Sequence, residues 1–195
     1  MHLEPRTFVG KVVRLEPLSE AHAGQLAKAG ADESIWRFMV YGAIRTEADM
    51  LALIQYLLSL HRAGTDLPFA VVHRDSQRAI GMTRFLDIRQ AHRGLEIGGT
   101  WYSPPFQRTA VNTECKYILL KYAFEDLACI RVQFKTDARN IRSQIALERI
   151  GAIREGILRN HMITPDGHVR DSVYYSILDS EWASIKRKLE SYLDQ

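Results

Sequence analysis

Gln107-Arg108-Thr109-Ala110-Val111-Asn112 is a polar turn, and Thr113-Glu114-Cys115-Lys116-Tyr117-Ile118-Leu119-Leu120-Lys121-Tyr122-Ala123-Phe124 follows it with apolar or aromatic residues spaced three and four apart. That spacing is helical. In front of the turn stand a short strand, Ile97-Gly98-Gly99-Thr100-Trp101-Tyr102, and a Pro104-Pro105 break. A strand that ends in a polar turn and feeds a helix leaves the first backbone N–H groups of that helix without intrahelical partners. Those donors make a cradle for an anion. Read locally, Asn112 or Thr113 could equally be an ordinary helix cap, so the surroundings decide.

Working outward, Arg131 to Thr136 reads as a second strand, and Asp137-Ala138-Arg139-Asn140-Ile141-Arg142-Ser143 opens another helix that ends at Ile150-Gly151. Upstream, Val12 to Leu15 is a first strand and Ser19-Glu20 starts a helix that Gly30 ends. Ile35 to Met39 is a short apolar, aromatic piece of open type whose large side chains read first as core. Thr46-Glu47-Ala48-Asp49 opens a clear helix carrying Met50, Leu51, Leu53, Ile54, Leu57, Leu58 and His61 on and beside one face. Phe69 to Val72 and Ala79 to Leu86 read as a hairpin, with Gly81 marking a bulge or a close backbone approach. Ala152 to Asn160 and Val169 to Leu178 flank the turn Thr164-Pro165-Asp166-Gly167, and a last helix runs from Ser180 to Leu193. The layout predicts an α+β fold with a mixed, largely antiparallel sheet.

At this point the chain resembles the GCN5-related N-acetyltransferase (GNAT) superfamily, within it the branch of the ribosomal-protein N-terminal acetyltransferases. The resemblance covers about residues 12–182 and rests on the strand, turn and helix around Gln107 and on Asn140 with Ser143. The family turn reads Gln/Arg-x-x-Gly-x-Gly/Ala; here Gln107 holds its first position, Ala110 stands where the first glycine would be, and Asn112 takes the second small position. The resemblance implies two central strands, Glu96 to Tyr102 and Arg131 to Thr136, that splay at their ends to admit the pantetheine arm of acetyl-CoA. It implies a donor site of Gly99, Thr100, Trp101, Tyr102, Gln107, Arg108, Thr109, Ala110, Val111, Asn112 and Thr113 with Asn140 and Ser143, a second reading of Ile35 to Met39 as a wall of the substrate pocket, and a homodimer.

Acetyl transfer needs a neutral amine, a polarised thioester carbonyl and a proton for the departing thiolate. Backbone N–H groups near Gly99 to Trp101 could polarise the carbonyl; a bulged strand explains Gly98-Gly99 equally well. Glu96 is the expected base, with an ion pair to a neighbouring arginine as its alternative reading, and His161 is a second candidate. Asn140 either binds pantetheine or only caps its helix. Many relatives carry a tyrosine seven residues after that asparagine, where this chain has Leu147, so the expected acid is Ser143, with Tyr102 or Tyr174 as alternatives.

The chain has 195 residues, 46% of them hydrophobic and 25% charged, with no Pro/Gly/Ser-rich linker, so one domain over 1–195 is expected, its core about 12–182 and its last helix 180–193. A net charge of +3 argues no nucleic-acid partner. The run from Met50 to Leu60, broken by Gln55 and Ser59, is too short for a bilayer, and the N-terminus does not read as a signal peptide, which leaves the cytoplasm as the expected compartment. Cys115 and Cys129 read as reduced core thiols, and the histidines, His2 among them, are scattered without metal-ligand spacing. The expected function is direct acetyl transfer from acetyl-CoA to a primary amine in a ternary complex without metal; the alternative is a non-catalytic CoA-binding or interaction module.

Overall fold

A computed structural model of the chain describes residues 3–194, so the expected domain span and His2 reach past the described residues. Its strands are β1 (Phe8–Val9), β2 (Val13–Pro17), β3 (Leu67–His73), β4 (Arg78–Arg89), β5 (Gly94–Tyr102), β6 (Arg131–Asp137), β7 (Ile153–Ile163) and β8 (Val169–Leu178). Its helices are α1 (Ala23–Ala29), α2 (Glu47–Arg62), α3 (Ala110–Lys121), α4 (Ile141–Ile150) and α5 (Asp179–Leu193). The strands form one sheet in the order β1-β2-β3-β4-β5-β6-β8-β7, antiparallel at every pairing except β5 with β6.

Strand alternation sorts the core into two layers. Leu15, Phe69, Phe85, Ile97, Phe134 and Tyr175 point toward α3, α4 and α5, which add Val111, Cys115, Leu147, Ile150 and Trp182. Ala70, Val72, Met82 and Trp101 point the other way, under α1 and α2 with Leu26, Met50, Ile54 and Leu57. That second layer stops at β5. The face of β6 and β8 beyond it carries Gln133, Lys135, Ser172 and Tyr174, whose polar side chains need no apolar cover.

The parallel pairing of β5 with β6 covers only Gly94–Arg131, Leu95–Val132 and Glu96–Gln133. Past Glu96 the two strands separate, β6 staying with β8 as far as Asp137. A bulge bends β5 at the same place. Met82 faces Trp101 and Arg84 faces Gly98, so β5 advances three residues while β4 advances two, with Gly99 at φ 57°. A side chain at Gly81 would run into the Trp101 carbonyl oxygen, which explains the glycine expected there.

The helix after the polar turn starts at Ala110 rather than Thr113, with Thr109 as its cap instead of Asn112 or Thr113. The Thr109 hydroxyl accepts the Val111 N–H, and the left-handed residue of the turn is Arg108, at φ 61°. Regular α geometry ends at Lys121, and Tyr122–Asp126 forms a π turn where the periodicity predicted continuous helix. Strand β1 was invisible to patterning because two residues give no period. It is held through buried Glu114 of α3, whose carboxylate accepts the N–H groups of Lys11, Val12 and Val13 in the following turn.

Candidate active site at the fork between β5 and β6

Two helix N-termini meet at the mouth of the fork, because α3 follows β5 and α4 follows β6. Gln107 joins them. Its Nε2 donates to the Tyr102 carbonyl at 2.9 Å, and its Oε1 accepts from Arg142 of α4 at 2.7 Å. Thr109 donates to the Phe106 carbonyl at 2.8 Å, which closes the turn. The N–H groups of Ala110 and Asn112 are left without intrahelical partners, and Arg108 and Arg142 stand beside them as exposed cations. Asn140 caps α4, its Oδ1 accepting the Ser143 N–H at 3.1 Å. The cap occupies the oxygen of Asn140 and leaves its amide nitrogen as a donor, so capping and ligand binding are compatible.

The other residues expected at the donor site divide by the face of β5 they occupy. Thr100 points toward α3, where Lys116 Nζ donates to its hydroxyl at 2.8 Å and the Thr83 hydroxyl lies 2.8 Å away. Burial pushes Lys116 down to about 8. Tyr102 is buried on the same face against Asn112 and Cys115, and burial raises it well above the ordinary phenol range. Its hydroxyl donates to Asn112 Oδ1 on the α3 side of β5, the face opposite Glu96. Trp101 is buried on the opposite face against Trp36, ring centroids 5.0 Å apart, so only its backbone reaches the gap. Val111 is core and the Thr113 hydroxyl is bound by Arg149, which makes both side chains structural. Leu147, where relatives carry the tyrosine, is also core.

Glu96 lies at the crotch of the fork, 3% exposed, on the polar face. Gln133 Nε2 donates to its Oε2 at 3.2 Å, and Lys135 Nζ stands 3.7 Å from that oxygen, so the ion-pair partner is a lysine and not the arginine expected. Burial raises the carboxyl above its ordinary value, with Lys135 and Gln133 opposing. The shift suits a base that must take a proton near neutrality. Tyr174 is opposite Lys135 in the β6–β8 register, with Lys135 Nζ 5.9 Å from its ring centre. Its hydroxyl is 3.5 Å from His161 Nε2, and His161 Nδ1 is 3.0 Å from the Ser172 hydroxyl. Desolvation, helped by Lys135 and Arg170, lowers His161 below its ordinary value.

Arg84, Arg142, Gln133, Lys135 and Arg170 were not singled out in the sequence. The signal for the β6 and β8 members is alternation, with polar residues at 133, 135, 172 and 174 opposite core residues, which identifies a polar face without showing that it meets Glu96. Trp36 and Phe38 split the two readings of their segment. Trp36 is core, its indole donating to the Gly30 carbonyl at 2.8 Å, whereas Phe38 is half-buried and its carbonyl accepts from Arg170 at 3.5 Å.

The gap has open strand backbone along β5, a bulge at Gly99 where a Cβ would lie 3.0 Å from Arg84 Nε, and two helix N-termini with flanking cations at its mouth, groups that can receive an anion. The chain matches the family model described as "Acetyltransferase (GNAT) domain" over residues 13–153. It is 35% identical over 106 residues to the Bacillus subtilis protein named "Putative ribosomal N-acetyltransferase YdaF", a match covering 54% of this chain and 57% of that protein. The crystal structure of an acetyltransferase from T. thermophilus, described there as putative, superposes with a TM-score of 0.90 at 39% identity, covering 99% of this chain and 100% of that one. A GCN5-related N-acetyltransferase from Brucella melitensis gives a TM-score of 0.92 at 29% identity, covering 98% and 86%.

Proposed function

The chain belongs to the GNAT acetyltransferase family, and on that premise we propose that it moves an acetyl group from acetyl-CoA to a primary amine by direct transfer, working as one catalytic domain. The observation that carries this reading is the early end of the β5–β6 pairing at Glu96. It opens a gap between two helix N-termini and a buried carboxylate, which supports a phosphate end at the mouth and a base at the crotch. In the proposed step the amine nitrogen attacks the thioester carbonyl carbon; a C–N bond forms and the C–S bond breaks. Glu96 takes the proton of the amine, directly or through water, and the departing thiolate receives a proton from Ser143 or Tyr174. Asn140 and the first N–H groups of α3 hold the pantetheine and pyrophosphate. Burial pushes Cys115 up to about 12 and Cys129 to about 11, so neither supplies a thiolate for a covalent intermediate.

We propose a homodimer as well. Strand β7 is a sheet edge with Ile153, Ile157 and Ile163 exposed, a surface that light scattering tests directly. The reading as a transferase is tested by calorimetric titration of acetyl-CoA, followed by release of free CoA thiol across a panel of amines. Saturable binding with turnover is the expected result. Tight binding without turnover on any amine would support the non-catalytic alternative, and no binding would overturn both.

A further inference from the structure

We propose that the amine accepted at the fork carries a carboxylate, held by Arg84 beside an apolar pocket, so that its acceptors are amino acids with apolar side chains; this rests on the transferase reading above. Charge is the first ground. Each carboxylate around the fork has a cation beside it: Asp66 with Arg84 at 3.1 Å, Asp87 with Arg89 at 3.5 Å, Glu96 with Lys135 at 3.7 Å and Asp137 with Arg139 at 2.8 Å. Arg170 is a fifth cation, whose opposing charges, Asp137 and Glu96, act from beyond ion-pair distance and already have Arg139 and Lys135 beside them. It is 4% exposed, donates to the Ser172 hydroxyl at 3.1 Å and the Phe38 carbonyl at 3.5 Å, and among the described residues has no carboxylate within 4.0 Å. A buried surplus of positive charge repels a polyamine and attracts an anion.

Unmet donors are the second ground. Arg84 lies 7% exposed on β4, and its Nε and Nη1 have no hydrogen-bond acceptor; the approach of Nη1 to Asp66 is an ion pair without hydrogen-bond geometry. Buried donors on a charged group are costly when unpaired, and a carboxylate relieves that cost. Arg84 faces Gly98 and Glu96 faces Leu86, so the two side chains are diagonal neighbours on one face. The backbones at such positions stand about 7–8 Å apart, and Arg84 acts on the Glu96 carboxyl, so one amino carboxylate can address both side chains, its nitrogen at Glu96 and its oxygens at Arg84.

The third ground is space. A cavity of about 460 Å³ is lined by Arg84 together with Val40, Ile44, Leu53 and Tyr56. Asp49 also borders it, but that carboxylate accepts the N–H groups of Arg45 and Thr46 in the cap of α2. The ring of Tyr41 covers the guanidinium, its centre 5.5 Å from Cζ, on the irregular segment before α2. The carboxylate reaches Arg84 when that ring turns aside, and the apolar side chain then occupies the cavity.

The test follows CoA thiol release at saturating acetyl-CoA with leucine and phenylalanine, their C-terminal amides, their decarboxylated amines, and spermidine. The free amino acids are expected to exceed their decarboxylated amines by about 30-fold or more in kcat/KM, the range of a charged hydrogen bond. In R84K, which keeps a cation for Asp66 but lacks the Nε donor, the preference collapses, mainly through a higher KM for the amino acids. If R84K fails to melt cooperatively, the wild-type ranking decides alone. Amides, amines or spermidine reacting as well as the amino acids would overturn the proposal and leave the transferase reading standing. Acetyl-CoA binding with turnover on other amines but on none of this panel would do the same. Absence of acetyl-CoA binding would bring down both.

Discussion

The two sides of the fork are made of different materials. At its mouth, toward α3 and α4, the groups on offer are main-chain N–H donors framed by Gln107, Thr109 and Asn140. On the polar face, Glu96, Gln133, Lys135, Tyr174 and Arg84 are side chains from four strands, assembled by pairing alone. A backbone cradle depends on local turn geometry and tolerates changes of side chain. A side-chain site depends on long-range register and does not.

The largest expected effect therefore falls on the polar face. E96Q keeps the shape of the side chain and removes the base, and kcat/KM should drop by about 100-fold or more, the contribution of general base catalysis. Its thermal stability at pH 8 should hold or rise, since a buried charge is gone. Activity within twofold of wild type would reduce Glu96 to a structural carboxylate and dissolve the contrast between the two sides.

At the mouth, N140A should weaken acetyl-CoA about tenfold in a calorimetric titration, a loss near 1.4 kcal/mol. The same substitution removes the cap of α4, which typically costs about 1 kcal/mol of stability. Lower stability with unchanged affinity would make Asn140 a cap alone and leave the cradle to the α3 backbone.

The same contrast explains what could be read from sequence. The reading of the turn and helix needed only contiguous sequence, Gln107 to Phe124, because a polar turn followed by helical spacing needs no knowledge of the rest of the fold. Its error was one turn of detail: the helix begins at Ala110 because the Thr109 hydroxyl takes the cap, and nothing in periodicity distinguishes Thr109 from Asn112 as that cap. Glu96 was legible as the carboxylate at the start of a central strand. Its partners were not. Lys135 meets Glu96 only because β6 joins β5 in parallel for three residues, and Arg84 flanks it only because the β5 bulge sets the register with β4. Trp101 reads as a plausible site residue in sequence, yet the alternation that follows the bulge turns its ring into the α1–α2 layer.

Lys135 tests the register directly. Burial holds the Glu96 carboxyl above its ordinary value while the nearby ammonium pulls it back. K135M removes the opposing charge, so the carboxyl should rise further. The base acts as a carboxylate, and the acidic limb of the kcat/KM profile should move to higher pH, with severalfold less activity near neutrality. Stability carries the same sign. A carboxyl raised in the folded state favours folding most below its unfolded pKa, and the contribution is lost as pH rises through the folded value. Melting temperature in K135M should fall more steeply with pH than in wild type, and an unmoved limb would mean that Lys135 does not sense Glu96.

The smallest effect belongs to the position where the chain departs from its family's turn. The family turn that the sequence resembles has glycine where this chain has Ala110, which on motif grounds alone suggests that A110G should tighten the donor site. The structure argues otherwise. Ala110 occupies the first helical position, the left-handed conformation is taken by Arg108 at φ 61°, and an ordinary Cβ at residue 110 is exposed. Glycine there relieves no backbone strain and loosens the first turn of α3 by a few tenths of a kcal/mol to about 1 kcal/mol. Acetyl-CoA affinity in A110G should stay within about twofold of wild type, because the donors are main-chain N–H groups that both residues supply. A gain of tenfold would show that the alanine side chain crowds the phosphate, and that the cradle reads side chains after all.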